Sequence, residues 1–407
     1  MSERRKGFGY WLGFITFYTL LAMFSLETRD PWSLSSAVWL PAGLVLGTLC
    51  ICPRLYWPIW GVSAGLLHIF VSLLYGRTLD VALTFAVVDL AILFPLAMMW
   101  HSVQRYLNHF SWRRETLLLL TGVYVASVLG GVLSALILML LDYPVILSHF
   151  YTWSLSNATG CLSIAPFFII YRYIPEERAK LTLAQIFALI LVVGIFLLPP
   201  ELLQNPLINH ALLYLVLGIT LVLSARWSLR LVSGYFLFLT VLVSLCTLSE
   251  LGPLAVLSQL WLQTSQLFLL ATISLGFIVA THCKEISVHG EKMHQQLLLL
   301  ETLLKAQQPV FFQLPADAKA LTWLQDEPVF GISPKEVMTL QLLQARLHPE
   351  DRDRFTGYLS MAKSEMSEAG ENTFRMLLSD YHYHSVRCNL VHNHPQFGTL
   401  GVLILYT

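Results

Sequence analysis

The sequence predicts a polytopic all-α membrane domain of about ten transmembrane helices, followed by a small α+β domain in the cytoplasm. Three observations predict it. Only 12% of the 407 residues are charged and 56% are hydrophobic, whereas a soluble domain carries roughly a quarter charged residues. Apolar runs of roughly 20 residues, the length that a bilayer core about 30 Å thick demands of a helix, recur from the N-terminus to residue 282. Beyond Cys283 the composition turns to that of an ordinary soluble chain. The expected divisions are therefore 1–282 for the membrane domain, 283–308 for a linker helix and 309–407 for the soluble domain.

The apolar runs fall at approximately 8–26, 34–52, 56–75, 79–100, 115–141, 150–171, 181–199, 208–225, 229–248 and 260–282. The basic stretch Ser2 to Gly7 leads into the first, which continues through Phe14 to Leu26 and meets Glu27 and Arg29 without a small-residue cleavage site. It reads as a retained span, not a signal peptide. Pro41 and Pro58 sit in the second and third runs, where a membrane helix tolerates proline if its neighbours satisfy the freed carbonyls. Every second run is followed by cations: Arg54, the Arg105–Arg114 group, the Arg172–Lys180 group, Arg226 with Arg230, and Lys284. The opposite segments hold only Arg29 and Arg77. Cations favour the cytoplasmic side, so both termini are expected there, with the lipid bilayer as the first partner.

Lys+Arg and Asp+Glu balance at 25 each, which points to no nucleic-acid partner. The six cysteines (Cys50, Cys52, Cys161, Cys246, Cys283 and Cys388) show neither a C-x-x-C pair nor zinc-ligand spacing, and read as small buried apolar residues.

In the linker, Leu297, Leu300 and Leu304 fall at i, i+3 and i+7, the seam of a two-stranded coil, and Ile286 and Met293 extend the spacing backward across Gly290. Either this helix pairs two copies of the chain or it packs on its own soluble domain. In the tail, Val310–Leu314 and Leu321–Leu324 read as short strands, Pro334–Leu347 as helical, and Glu350 to about Lys363 as a second helix. Alternation at Phe374, Met376 and Leu378, at Val386, Cys388 and Leu390, and at Leu400, Val402 and Ile404 predicts three further strands.

Polar groups inside the spans are functional candidates, because an ionisable side chain in lipid costs a few kcal/mol. Asp89 is the acid deepest in a span, and His68 lies within the third. Trp153, Asn157, Thr159 and Gly160 make a polar, small-residue patch in the sixth, and Gln259, Gln263 and Gln266 share one face of the last. These groups either line a cavity for a small polar ligand or bond helix to helix, at roughly 0.6–2 kcal/mol per contact.

Several segments resemble the first type of membrane-associated sensor domain (MASE family), which precedes cyclic-di-GMP enzymes and some histidine kinases in bacteria. They are Trp39-Leu40-Pro41-Ala42-Gly43-Leu44, Arg54 with Trp57-Pro58-Ile59-Trp60-Gly61, Asp89, Trp153 with Asn157-Ala158-Thr159-Gly160 and Pro166, and Ala225-Arg226-Trp227-Ser228-Leu229-Arg230. Asn157 stands where the family commonly has an aspartate. The polar groups inside the spans and the residues that carry this resemblance together give the expected ligand site of the membrane domain: Trp39, Pro41, His68, Asp89, Trp153, Asn157 and Arg226.

The tail resembles a PAS domain through His348-Pro349-Glu350-Asp351-Arg352-Asp353-Arg354-Phe355, with Ala320-Leu321-Thr322-Trp323 and Thr373-Phe374-Arg375-Met376 as strands. PAS domains hold haem, flavin or metabolites. Here His382/His384 and His392/His394 lack a second Cys/His cluster and Cys388 lacks a flavin-type motif, so no metal and no cofactor is expected. No G-G-D-E-F, E-A-L or glycine-rich nucleotide loop is found, so no enzyme activity is expected either. The two resemblances together imply a bacterial inner-membrane sensor and relay without its own catalytic output. It would be a homodimer, acting on a cyclic-di-GMP enzyme or kinase through its PAS domain. A shortened diguanylate cyclase or histidine kinase, and a transporter with a regulatory tail, are the alternatives.

Overall fold

The computed structural model describes residues 2–28, 36–106, 111–143, 147–173, 182–255, 261–307, 309–314, 320–324, 328–361, 372–394 and 398–406. It divides into two compact units, Met1–His289 and Gly290–Thr407.

The first unit is helical: α1 (Ser2–Glu27), α2 (Leu40–Ile51), α3 (Trp57–Leu74), α4 (Leu79–Tyr106), α5 (Trp112–Leu140), α6 (Leu147–Tyr173), α7 (Leu183–Phe196), α8 (Pro206–Arg226), α9 (Leu229–Leu248) and α10 (Trp261–Gln307). Lipid as solvent is visible in the side chains. In α1, Phe14, Tyr18, Ala22 and Leu26 are buried at every fourth position, while Phe8, Phe17 and Leu20 stay exposed on other faces.

About ten full spans are expected from sequence, but among the described residues eight helices are long and apolar enough to cross a membrane. α2 and α7 are shorter. At 1.5 Å per residue they extend only about 18 and 21 Å. The reasons are local. The Thr182 side chain accepts from the Gln185 amide and Gln185 returns the bond, which fixes the start of α7, and Pro199-Pro200 lie just beyond its end. α2 begins late because residues 36–39 are non-helical, and Pro41 falls in its first turn, where no intrahelical donor is lost.

Irregular backbone inside a membrane protein is tolerated only where protein satisfies it, and residues 36–40 meet that condition. Trp39 N donates to Ser156 O (3.1 Å) and Ala37 N to Thr28 O (3.4 Å). Leu40 N donates to Ser25 Oγ (3.2 Å). Gln266 Nε2 on α10 donates to Ala37 O (2.7 Å) and Thr152 O (3.3 Å). Gln266 therefore does what helix-to-helix bonding requires; Gln263 is half-buried and Gln259 lies outside the described residues. From Leu40 to Cys50 every residue of α2 is buried, as expected of a helix apolar on all sides.

The second unit holds a five-stranded antiparallel sheet of order β2-β1-β5-β4-β3, with β1 (Val310–Leu314), β2 (Thr322–Trp323), β3 (Thr373–Leu377), β4 (Tyr383–His394) and β5 (Gly398–Tyr406). Phe312, Phe374, Met376, Val386, Cys388 and Leu403 make its buried face against Leu343, Leu347, Phe355 and Leu359. The helical run expected over Pro334–Leu347 is broken: a 3-10 turn (Pro334–Val337) precedes α11 (Leu340–Ala345). Thr339 between them is extended and caps α11 through its hydroxyl, which accepts from Leu342 N.

α12 (Pro349–Met361) opens on the acidic segment noted above. Its acids do more than face the helix dipole. Asp351 Oδ2 accepts from the backbone N (2.9 Å) and Nε (3.0 Å) of Arg375 on β3, and Oδ1 accepts from Arg354 (3.2 Å). The Arg375 guanidinium holds the buried Asp351 carboxyl at about 2, below its ordinary 3.8. A depressed carboxylate contributes stability above its unfolded pKa and loses it as pH falls through the folded value. About 2 kcal/mol of tail stability is therefore expected to vanish between roughly pH 4 and pH 2. Asp351→Asn should remove that loss, which hydrogen–deuterium exchange of β3 and β4, corrected for intrinsic pH dependence, would register.

Candidate ligand site in the membrane domain

Four elements converge on one carboxylate. Trp39, at the head of α2, donates Nε1–H to Asp89 Oδ2 on α4 (2.8 Å). Asn157 on α6 donates Nδ2–H to Oδ1 (2.7 Å). His68 on α3 places Nδ1 3.4 Å from Oδ2 and packs its ring, tilted by 54°, against Trp39, with centroids 4.7 Å apart. Asp89, His68, Asn157 and Trp39 are all buried. A buried charge must be paired or hydrogen-bonded, and the donors from α2 and α6 meet that need. Both nitrogens of His68 are buried without a hydrogen bond among the described residues.

The α6 contribution follows from helix geometry. Trp153 and Asn157 stand at i and i+4 on one face, and Ser156 sits beside them, its hydroxyl 3.4 Å from Ser36 Oγ. Asn157 has a direct consequence: a carboxylate in its place would set a like charge against Asp89, whereas the amide donates a hydrogen bond to it.

Beside this node lies a recess of about 250 Å³, lined by Ser36, Trp39, His68, Arg77, Phe85, Asp89, Trp153, Ser156 and Asn157. Arg77, in the α3–α4 connection, is buried. Its guanidinium carbon lies 5.2 Å from the centre of the Phe85 ring and Nη1 donates to Ser72 Oγ (3.4 Å). The recess thus carries a cation, an anion, an imidazole and indole walls. A second recess of about 220 Å³ touches Trp39, His68 and Asp89 as well, with Tyr18 on α1 and apolar residues of α2 and α4.

Of the residues assigned from sequence, Trp39, His68, Asp89, Trp153 and Asn157 line the first recess. Pro41 and Arg226 do not. Pro41 is fixed in the first turn of α2, where it shapes the helix start. Arg226 is exposed at the end of α8, a position where a cation suits the helix dipole. Arg77, Phe85, Ser36, Ser156 and Tyr18 were missed. In the sequence Arg77 is only an outer-loop charge; that it lines one recess with a buried acid is a tertiary fact. The arrangement suits binding of a small polar molecule with a donor group for Asp89 and an acceptor group for Arg77. Among the described residues no group of His, Cys, Asp and Glu is placed to hold a metal ion.

The MASE1 family model matches residues 12–285, which include every residue of this site. No curated protein and no solved structure matches the chain.

Proposed function

Because this chain belongs to the MASE1 family of membrane sensor domains, we propose that it is a bacterial inner-membrane sensor and relay whose stimulus is a small polar molecule bound beside Asp89. The observation that carries the reading is the buried Asp89 node with a cation, Arg77, lining the same recess. Ligand binding shifts a pre-existing equilibrium only through differential contacts with two states. Here those contacts fall on four helices at once. The path outward starts at Gln266, which ties α10 to the Ala37 carbonyl two residues from Trp39. α10 runs on to Gln307, about 70 Å in all.

The tail is read as PAS-like. Two strands, intervening helices and a three-stranded meander, with the first and last strands paired at the centre of the sheet, support that reading. Output passes through this domain to a cyclic-di-GMP enzyme or kinase, and the chain itself performs no catalysis. Exposed Ile286, Met293 and Leu297 on α10 support pairing of two copies.

Crosslinked pull-down from native membranes, comparing the full chain with one truncated after Gln308, tests the relay. Recovery of a cyclic-di-GMP enzyme or kinase only with the tail is the expected result. Self-association alone, with no change in cyclic-di-GMP on deletion, would overturn it. One feature favours a transport reading instead: α2 is short, and its head is unwound beside a buried charge, as in transporter sites. Substrate flux in vesicles that is lost in Asp89→Asn would decide for transport.

A further inference from the structure

A third cavity, separate from the Asp89 node, has a chemistry of its own. It lies between α4, α5, α6, α9 and α10 and is lined as ligand pockets are, mostly by apolar side chains with a few polar groups. Leu120, Ile170 and Phe277 represent its mostly apolar wall. Trp100 lines it too, and its indole N–H is buried and has no hydrogen-bond partner among the described residues. An unpartnered buried donor is costly and calls for an explanation. Glu115 and the Leu162 carbonyl are among the acceptors that share the cavity. Glu115, buried on the first turn of α5, accepts from Gln104 through one carboxylate oxygen. Pro166 has no N–H, so the Leu162 carbonyl lacks its usual helical donor, and both residues lie in the lining.

We propose that this cavity binds an uncharged lipophile bearing a hydroxyl group, which accepts from Trp100 Nε1 and donates to Glu115 or the Leu162 carbonyl. A hydroxyl is the group that meets both needs with one atom. The wall disfavours an anionic headgroup, since its one charged side chain is the acid Glu115. It equally disfavours a plain hydrocarbon, which leaves the indole donor unmet. Phe277 and Thr281 belong to α10, so occupancy presses on the helix that leads to the tail, from a site distinct from the polar recess.

The test is photolabelling of the full chain in nanodiscs with a diazirine-bearing octanol, mapped by mass spectrometry. Saturable labelling of Leu120, Ile170 or Phe277 is expected, competed by 1-octanol or dioctanoylglycerol but not by octane or octanoate. Whichever alcohol competes better tells a free lipophile from a neutral lipid. Trp100→Phe should raise the competing concentration at least fivefold while the protein melts no lower than the parent, because the change removes an unmet donor. Should Trp100→Phe fail to fold, Ile170→Trp fills the same space and should block labelling. Non-saturable labelling confined to exposed residues such as Leu117 and Leu136, or competition by octane equal to that by octanol, would overturn the proposal.

Discussion

Gly160→Ala is expected to abolish the folded membrane domain, with a cost above about 3 kcal/mol, the upper end of ordinary overpacking. A methyl group on Gly160 would fall well inside van der Waals contact with the Trp39 carbonyl oxygen, and one on Gly43 would meet the Gly160 carbonyl in the same way. Both neighbours are backbone, so neither can swing aside. Close approach of this kind is how helices associate in lipid, where apolar burial alone gives no drive. In fluorescence-detected size exclusion of the full chain, Gly160→Ala and Gly43→Ala should lose the monodisperse peak. Gly218→Ala on α8 meets nothing within 4 Å and should be neutral or stabilise by about 1 kcal/mol, as expected of glycine replaced in a helix interior. If Gly160→Ala melts with the parent, the α2–α6 contact described here is wrong.

Asp89→Ala should be nearly as damaging. It leaves Trp39 Nε1 and Asn157 Nδ2 as buried donors without an acceptor. Each orphaned group costs about 1–3 kcal/mol, so a loss of about 2–6 kcal/mol is expected in thermal melts in detergent. Asp89→Asn keeps the shape but has one acceptor oxygen for two donors. It should cost less and remove the charge that the sensing reading needs. If Asp89→Asn melts 5 °C or more lower yet preserves the proposed signalling output in membranes, the node is structural and the ligand reading of the recess falls. If that output is lost while the melting point holds, the charge acts in sensing.

The helices were largely legible because lipid imposes one requirement, a long apolar run, that composition meets openly. Their lengths were less so. The run over 34–52 looks like a span, yet its helix is Leu40–Ile51, because Ser25, Ser156 and Gln266 satisfy the backbone ahead of it. Nothing local to residues 36–39 announces those partners, which are distant in sequence. In the tail, period-2 alternation located β3, β4 and β5, since one face of a sheet is buried. The break at Thr339 was hidden, because the same apolar spacing suits one helix or two short pieces.

The candidate site divides along the same line. Asp89 and His68 stand out in sequence because ionisable groups in apolar runs are costly, and Trp39, Trp153 and Asn157 because they carry the family resemblance. Arg77 carried neither signal: a cation in a short loop looks like a topology marker until the fold buries it against Phe85. The sequence by itself determined that this chain partitions into a membrane domain and a sheet-forming tail, because hydropathy and alternation are one-dimensional properties that every segment carries with it. Which polar groups meet, where α2 begins and what Arg77 faces were decided only by tertiary structure. The first two depend on the approach of segments tens to hundreds of residues apart, and the missing side chains of Gly43 and Gly160 let α2 and α6 come that close.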